Sequence, residues 1–212
     1  MDVIEKIQEK TAAAVKLERR SAISRLLQGR GDALVVSGLG NPAYDVYAAG
    51  DTAANFYLWG AMGGAAMLGL GLALAQPSRR VVVCTGDGEM LMGLGALATI
   101  AVKRPSNLAV VVIDNERYGE TGMQLTHTAQ GVDLAGMAQA AGFDLAMTVR
   151  SDAELTRLRQ HLFDGNGLLF AVIKVSTEPT PFALPPLDGP YLQNRFRDGL
   201  LNSPSYSKVA GG

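Results

Sequence analysis

Cysteine, histidine and tryptophan are scarce in this chain, whose 212 residues include one cysteine, two histidines and one tryptophan. The single cysteine, Cys84, cannot form a disulfide within the chain, which favours a reducing compartment and a cytoplasmic location. The chain also lacks a basic run, and its 19 Lys and Arg against 20 Asp and Glu give a net charge of −1. We therefore expect no nucleic-acid partner.

The sequence has one long uncharged segment that is a candidate membrane span, the 18 residues from 58 to 75. This segment contains five glycines, and no cluster of basic residues marks either end of it. The first residues, MDVIEKIQEK, lack the apolar core of a signal peptide. We expect no membrane partner, and interpret the segment as a helix buried within the protein.

The composition is typical of a globular protein, with 48% hydrophobic and 18% charged residues. Apolar strand-like runs alternate with helical segments, and each run is continuously apolar. That pattern is typical of a parallel sheet covered by helices on both faces, and predicts a three-layer α/β/α fold. The predicted strands are residues 33–37, 81–85, 108–114, 144–149 and 168–175.

The predicted helices are residues 2–28, 62–75, 90–102, 134–141 and 152–163. Asp133 and Ser151 are suitable N-caps for the last two, and residues 37–45 are expected to form a loop. We predict an N-terminal helix (residues 1–30), one α/β domain (residues 31–176) and a proline-rich C-terminal arm (residues 177–212). The arm either wraps a neighbouring subunit or packs on its own domain.

Two polar motifs come directly after predicted strands, where ligands of parallel sheets bind. In Gly86-Asp87-Gly88 the aspartate offers a carboxylate, and the glycines allow a ligand close to the backbone. The helix behind this motif directs free N–H groups towards a phosphate. Asn115 follows the next strand and adds an amide oxygen. Oxygen ligands of these kinds suit Mg²⁺, so the residues predict a site for Mg²⁺ and a diphosphate.

The GDG motif, the 25 residues after it and then Asp114-Asn115 resemble the thiamine diphosphate (ThDP) enzymes in their diphosphate-binding (PP) module. That family has Asn-Asn here; Asp114 replaces the first Asn, whereas the metal-binding second Asn is retained as Asn115. The resemblance implies ThDP and Mg²⁺ as cofactors. The metal ligands it implies are Asp87, Asn115 and the backbone carbonyl of Arg117. The further cofactor contacts it implies are Gly86, Gly88, Glu89, Tyr118 and Gly119.

The segment NFYLWGAMGGAAMLGLGLALA, from residue 55, is similar to the family segment that holds the aminopyrimidine ring. Here Gly60 would accept a hydrogen bond from the 4′-amino group, and Met62 would force the cofactor into its V shape. NFYLWGAMG, GDGEMLMGLGALATIA and YGETGMQ also resemble the decarboxylases of 3-substituted pyruvates, which act on sulfopyruvate or phosphonopyruvate. This subgroup has Gly-Gly-Gln where the chain has Gly122-Met123-Gln124, close to the expected substrate.

A complete enzyme of this family also has a pyrimidine-binding (PYR) module, for which this chain has no room. The resemblance therefore implies the β subunit of a two-subunit decarboxylase of a small 2-oxoacid. Its active site would be shared with a PYR-module α subunit in a hetero-oligomer, α2β2 or larger. Candidate catalytic residues are Glu120, Gln124 and His127. An acetolactate synthase-like carboligase subunit is an alternative.

Two alternatives come from other functional classes. Residues 38–43, GLGNPA, match the dinucleotide fingerprint G-x-G-x-x-A after a strand, as in an NAD-binding oxidoreductase. However, Pro42 interrupts the turn, and no strand ending in an acidic residue follows at the usual distance. The chain could also be a non-catalytic assembly subunit. Cys84 and His161 are interpreted as structural residues.

Overall fold

The structure is a computed structural model that describes residues 16–201. Its strands are β1 (Leu34–Ser37), β2 (Asn55–Tyr57), β3 (Val81–Gly86), β4 (Leu108–Asp114), β5 (Arg117–Tyr118), β6 (Gln124–Leu125), β7 (Leu145–Val149) and β8 (Leu169–Lys174). Six of them form one sheet in the order β2-β1-β3-β4-β8-β7, and every neighbouring pair is parallel. The short strands β5 and β6 form a separate antiparallel hairpin.

Helices cover both faces of the sheet. They are α1 (Arg19–Leu27), α2 (Asn41–Ala48), α3 (Ala65–Ala75), α4 (Asp87–Met92), α5 (Ala96–Lys103), α6 (Leu134–Ala141), α7 (Asp152–Phe163) and α8 (Gly189–Leu201). Residues of α1, α2 and α7 pack on one face, and residues of α3, α5 and α6 pack on the other. The central strand β4 is buried along its whole length, as expected for a strand with two covered faces. The predicted three-layer α/β/α fold is confirmed.

The helix caps follow from residues close in sequence. Asp133 accepts a hydrogen bond from the N–H of Gly136, and Gly142 ends α6 in the left-handed conformation. Ser151 and Glu154 form a reciprocal capping box at the start of α7. The predicted N-caps Asp133 and Ser151 are confirmed, and each contacts a residue three positions along the chain.

Two helix predictions differ from the structure by more than a few residues. Residues 16–18 are not helical, because Leu17 pairs with Val175 beside the sheet; residues 1–15 lie outside the described residues. The predicted helix over residues 90–102 is two helices, α4 and α5, separated at residues 93–95. The backbones at Gly63 and Gly93 are in close contact there, and a Cβ at Gly93 would lie 2.3 Å from the Gly63 carbonyl oxygen.

Two elements between residues 37 and 57 were not predicted. The expected loop contains α2, which begins after Gly40 with Pro42 in its first turn, a position that proline favours. Strand β2 is only three residues long, too short for a clear apolar period. Among the described residues, no helix is long and apolar enough to cross a bilayer.

The C-terminal arm packs on its own domain as far as residue 201. The Phe182 ring lies 4.6 Å from the Tyr44 ring, between centroids. The indole N–H of Trp59 donates to the carbonyl of Pro186 at 3.0 Å. Residues 202–212 lie outside the described residues, so a contact of the arm with another subunit stays a prediction.

Candidate functional site

The two polar motifs meet at the carboxyl ends of the adjacent strands β3 and β4. Gly86 pairs with Ile113 in the parallel register, so Asp87 lies level with Asp114 and next to Asn115. The side chains of these three residues are almost fully buried. The predicted position of both motifs at one edge of the sheet is therefore confirmed.

Asp87 is held by two hydroxyl groups from a distant loop. Its Oδ2 accepts a hydrogen bond from Thr126 Oγ1 at 2.5 Å and another from Thr128 Oγ1 at 3.3 Å. Burial, together with the nearby Asp114 carboxylate, raises the pKa of Asp87 to about 6, although the hydroxyls of Thr126 and Thr128 act in the opposite direction. The carboxylate is thus fixed in orientation, and a nearby cation would favour its charged form.

A tight turn after β4 places Asn115 beside the same pocket. Asn115 Oδ1 accepts the backbone N–H of Arg117 at 3.0 Å. Between them, Glu116 adopts a left-handed conformation with φ 64°, which costs free energy for a residue other than glycine. Ion pairs from Glu116 to Lys16 (2.7 Å) and Lys174 (2.6 Å) hold this conformation. The strained turn directs residues 117–119 towards Asp87.

Gly88 and the Tyr118 ring lie in close contact on the wall of this pocket. A Cβ at Gly88 would lie 2.5 Å from Cε1 of the Tyr118 ring, so only glycine fits at the first turn of α4. The helices α2 and α4 both begin at this pocket, so their free N–H groups and positive dipole ends favour an anion there.

Ten of the thirteen predicted site residues line this one pocket. They are Met62, Gly86, Asp87, Gly88, Glu89, Asn115, Arg117, Tyr118, Gly119 and Glu120. The structure also adds residues that the sequence analysis missed. These are Arg19, Leu39, Gly40, Asn41, Pro42 and Ile113. The sequence signal for Gly40, Asn41 and Pro42 was that a proline favours the first turn of a helix. Residues 37–45 were instead predicted to form a loop.

Gly60, Gln124 and His127 do not line this pocket. Gly60 is exposed on the segment before α3. The Gln124 side chain bonds its own loop, with the Thr121 hydroxyl 2.9 Å from its Oε1. His127 is exposed at the start of a short 3₁₀ helix, His127–Gln130. Their roles stay predictions.

The donor chemistry at this pocket suits a hard cation rather than zinc. Within residues 16–201 no group of three or more His, Cys, Asp and Glu side chains is arranged for a metal ion. A metal beside Asp87 would therefore also use amide, backbone or ligand oxygens, which Mg²⁺ accepts readily. The glycine-rich α4 start and the anion-favouring helix ends fit a diphosphate next to that metal.

Comparison with known proteins identifies similar sequences. Residues 39–175 match the family described as "Thiamine pyrophosphate enzyme, C-terminal TPP binding domain". The sulfopyruvate decarboxylase subunit beta of Methanothermobacter thermautotrophicus is 46% identical over 129 residues, covering 61% of this chain and 69% of that protein. The phosphonopyruvate decarboxylase of Streptomyces viridochromogenes is 44% identical over 132 residues, covering 62% of this chain and 33% of that protein.

Solved structures agree in fold. The thiamine diphosphate-dependent 4-hydroxybenzoylformate decarboxylase of Rhodococcus jostii RHA1 superposes with a TM-score of 0.64 at 16% identity. The match covers 80% of this chain and 34% of that chain. At this identity the likeness supports the fold alone.

Proposed function

Since the chain belongs to the thiamine pyrophosphate enzymes, we propose that it is the cofactor- and metal-binding β subunit of a two-subunit decarboxylase. The substrate we propose is a small 2-oxoacid of the 3-substituted pyruvate type, either sulfopyruvate or phosphonopyruvate. The names and high identity of the similar β subunits and of the phosphonopyruvate decarboxylase support this choice.

One observation carries the proposal. Asp87 and Asn115, separated by a family-like spacing in sequence, line one pocket at the ends of adjacent parallel strands. We propose that Asp87, Asn115 and the Arg117 carbonyl bind Mg²⁺. Gly86, Gly88, Glu89, Tyr118 and Gly119 would contact the diphosphate of ThDP. The family match over residues 39–175, which includes Gly40 to Pro42, supports this proposal over the dinucleotide alternative.

When bound, ThDP would supply the carbanion that attacks the keto carbon and the ring that accepts the electrons released with CO₂. The chain's own contribution would be to position the cofactor. Thr126 and Thr128 orient Asp87, Lys174 neutralises Asp114, and Met62 would support the ring portion.

The segment proposed to hold the cofactor ring supports the proposal of a partner subunit. Gly60 and Met62 are exposed, whereas Gly88 and Glu89, which are proposed for the diphosphate, are buried. We propose that a PYR-module α subunit covers Gly60 and Met62 in a cytoplasmic hetero-oligomer, α2β2 or larger. Glu120, Gln124 and His127 would then face the shared active site from the hairpin loop and the turn after it.

The first experiment is native mass spectrometry of the protein isolated from its own source. We expect a second chain, ThDP and Mg²⁺ to accompany it, and the complex to release CO₂ from sulfopyruvate or phosphonopyruvate. Isolation of the chain alone, with no ThDP bound even after addition of Mg²⁺ and cofactor, would contradict the proposal. Product analysis separates a decarboxylase from a carboligase, because a carboligase joins the product to a second carbonyl compound.

A variant distinguishes the enzyme from a non-catalytic assembly subunit. Asp87→Ala, assayed within the complex, should lose about 100-fold or more in kcat/KM, since loss of a residue that only supports a metal ligand already costs about 10–100-fold. Asp164→Ala, at the exposed end of α7, is the matched control and should retain activity. Undiminished turnover by Asp87→Ala would favour the assembly role.

A further inference from the structure

The side chain of Glu89 lies at the junction of three loops that surround the pocket. Glu89 is in the first turn of α4 and is only 4% exposed. Its Oε2 accepts a hydrogen bond from the Thr85 hydroxyl, at the end of β3, at 2.8 Å. A buried acid without a cation beside it needs such compensating contacts.

The loop after β1 makes room for this carboxylate. A Cβ at Gly38 would lie 1.6 Å from Glu89 Oε2 and 2.6 Å from its Cδ. Any side chain at position 38 would therefore displace Glu89. The contact between Gly38 and the Glu89 carboxylate therefore packs the end of β1 against the start of α4.

The third contact is with the start of α3. The N-cap of α3 is Gly64, which provides no side-chain cap. Burial raises the pKa of Glu89, whereas the Thr85 hydroxyl and the backbone N–H groups of Ala65 and Gly63 lower it. Oε1 has no hydrogen-bond partner among the described residues, so this buried oxygen remains an unpartnered acceptor. A carboxylate at the N-terminus of an uncapped helix stabilises that helix.

These contacts link the two halves of the proposed cofactor site. Gly60 and Met62 lie between β2 and α3, whereas Asp87 and Gly88 immediately precede Glu89. We propose that Glu89 is a positioning residue that holds the Gly60–Met62 segment at a fixed place relative to the GDG motif. This role rests on the proposed function, and it differs from the backbone contact that the family resemblance implied for Glu89.

The proposal predicts a selective defect. Without the Glu89 carboxylate, the diphosphate half should still bind Mg²⁺ and pyrophosphate. The ring half should be displaced, so ThDP should lose the additional affinity that its rings contribute. A purely structural role would lower thermal stability without changing the ratio of the two affinities.

The test uses the full chain together with the subunit that co-purifies with it, and isothermal titration with Mg²⁺-ThDP and with Mg²⁺-pyrophosphate. For Glu89→Met we expect ThDP affinity to fall by about tenfold or more, as for a lost contact to a charged group. Pyrophosphate affinity should change by less than about twofold. Glu89→Gln, which can still accept from Thr85, should restore part of the ThDP affinity.

A second variant and a control keep the test decisive if Glu89→Met does not fold. Gly38→Ala should displace the carboxylate and reproduce the ThDP-selective loss. Ser151→Ala, which removes the remote cap of α7, should lower stability and leave the affinity ratio unchanged. Trp59, the single tryptophan, adjoins Gly60, so its fluorescence change on ThDP binding should decrease in the Glu89 and Gly38 variants.

Equal losses for both ligands, or no loss for either, would overturn the positioning role. A wild-type complex that binds ThDP no more tightly than pyrophosphate would also overturn it, since no ring contribution exists to be lost. Failure of the wild-type protein to bind either ligand would instead overturn the proposed function itself.

Discussion

Lys174 Nζ lies 2.8 Å from Asp114 Oδ2 in a buried ion pair that joins β8 to β4. Asp114 stands where the thiamine diphosphate enzymes usually have Asn, and Lys174 supplies a positive charge that offsets the repulsion between its carboxylate and that of Asp87. Lys174 also contacts Glu116 at 2.6 Å. The lysine therefore explains how an acidic residue is accommodated directly behind the proposed metal ligand.

Removal of this lysine should destabilise the fold. Lys174→Met leaves the Asp114 carboxylate buried beside Asp87, and we expect a loss of about 3–5 kcal/mol in the free energy of unfolding. The double variant Lys174→Met/Asp114→Asn should recover most of this loss, because it removes both charges. Urea denaturation of the single and double variants, with exposed Lys103→Met as the control, measures the effect. Additive losses would contradict the coupling.

The close contact between Gly88 and Tyr118 predicts that substitutions at these two positions have coupled effects on stability. Gly88→Ala introduces a methyl group 2.5 Å from the Tyr118 ring. We expect a cost of about 1–3 kcal/mol from overpacking, with weaker ThDP binding. Tyr118→Leu in the same chain should relieve the clash and restore part of the stability, measured by thermal denaturation. No recovery in the double variant would show that the alanine acts elsewhere.

Cys84 should be inert in the folded protein. It is fully buried in β3, and burial raises the pKa of its thiol to about 12. Because the thiolate is the reactive form, the sign of this shift means less reaction at any pH below that value. We expect no labelling by Ellman's reagent at pH 8 until denaturant is added, and one thiol per chain afterwards. Rapid labelling of the native protein would contradict the buried position.

Deletion of the C-terminal arm tests its packing. Residues 177–201 cover Tyr44 and Trp59, and Phe196 lies 5.4 Å from Phe56 between ring centroids. A chain ending at residue 176 should unfold at a lower temperature and show red-shifted Trp59 emission, because water would reach the indole. An unchanged spectrum would mean that the arm does not cover Trp59. The oligomeric mass of the same variant tests the predicted subunit contact separately.

The sequence predicted those features that depend on residues close together in the chain. Continuous apolar runs predicted a parallel sheet, and all five predicted strands match the structure within one residue at each end. The caps Asp133 and Ser151 were predicted because their partners are three residues away. Two predictions were wrong. The expected loop contains α2, which begins with Pro42 in its first turn, and the helix predicted over residues 90–102 is divided at Gly93, where two backbones are in close contact.

The sequence by itself therefore determined the fold class, the edge of the sheet that carries the site, and the motif residues Asp87 and Asn115. Only the tertiary structure decided which side chains support them. Thr126 and Asp87 are 39 residues apart, and Lys174 and Asp114 are 60 residues apart. Such pairs meet because the order of strands and the packing of loops bring them together, and no local periodicity or cap encodes that proximity.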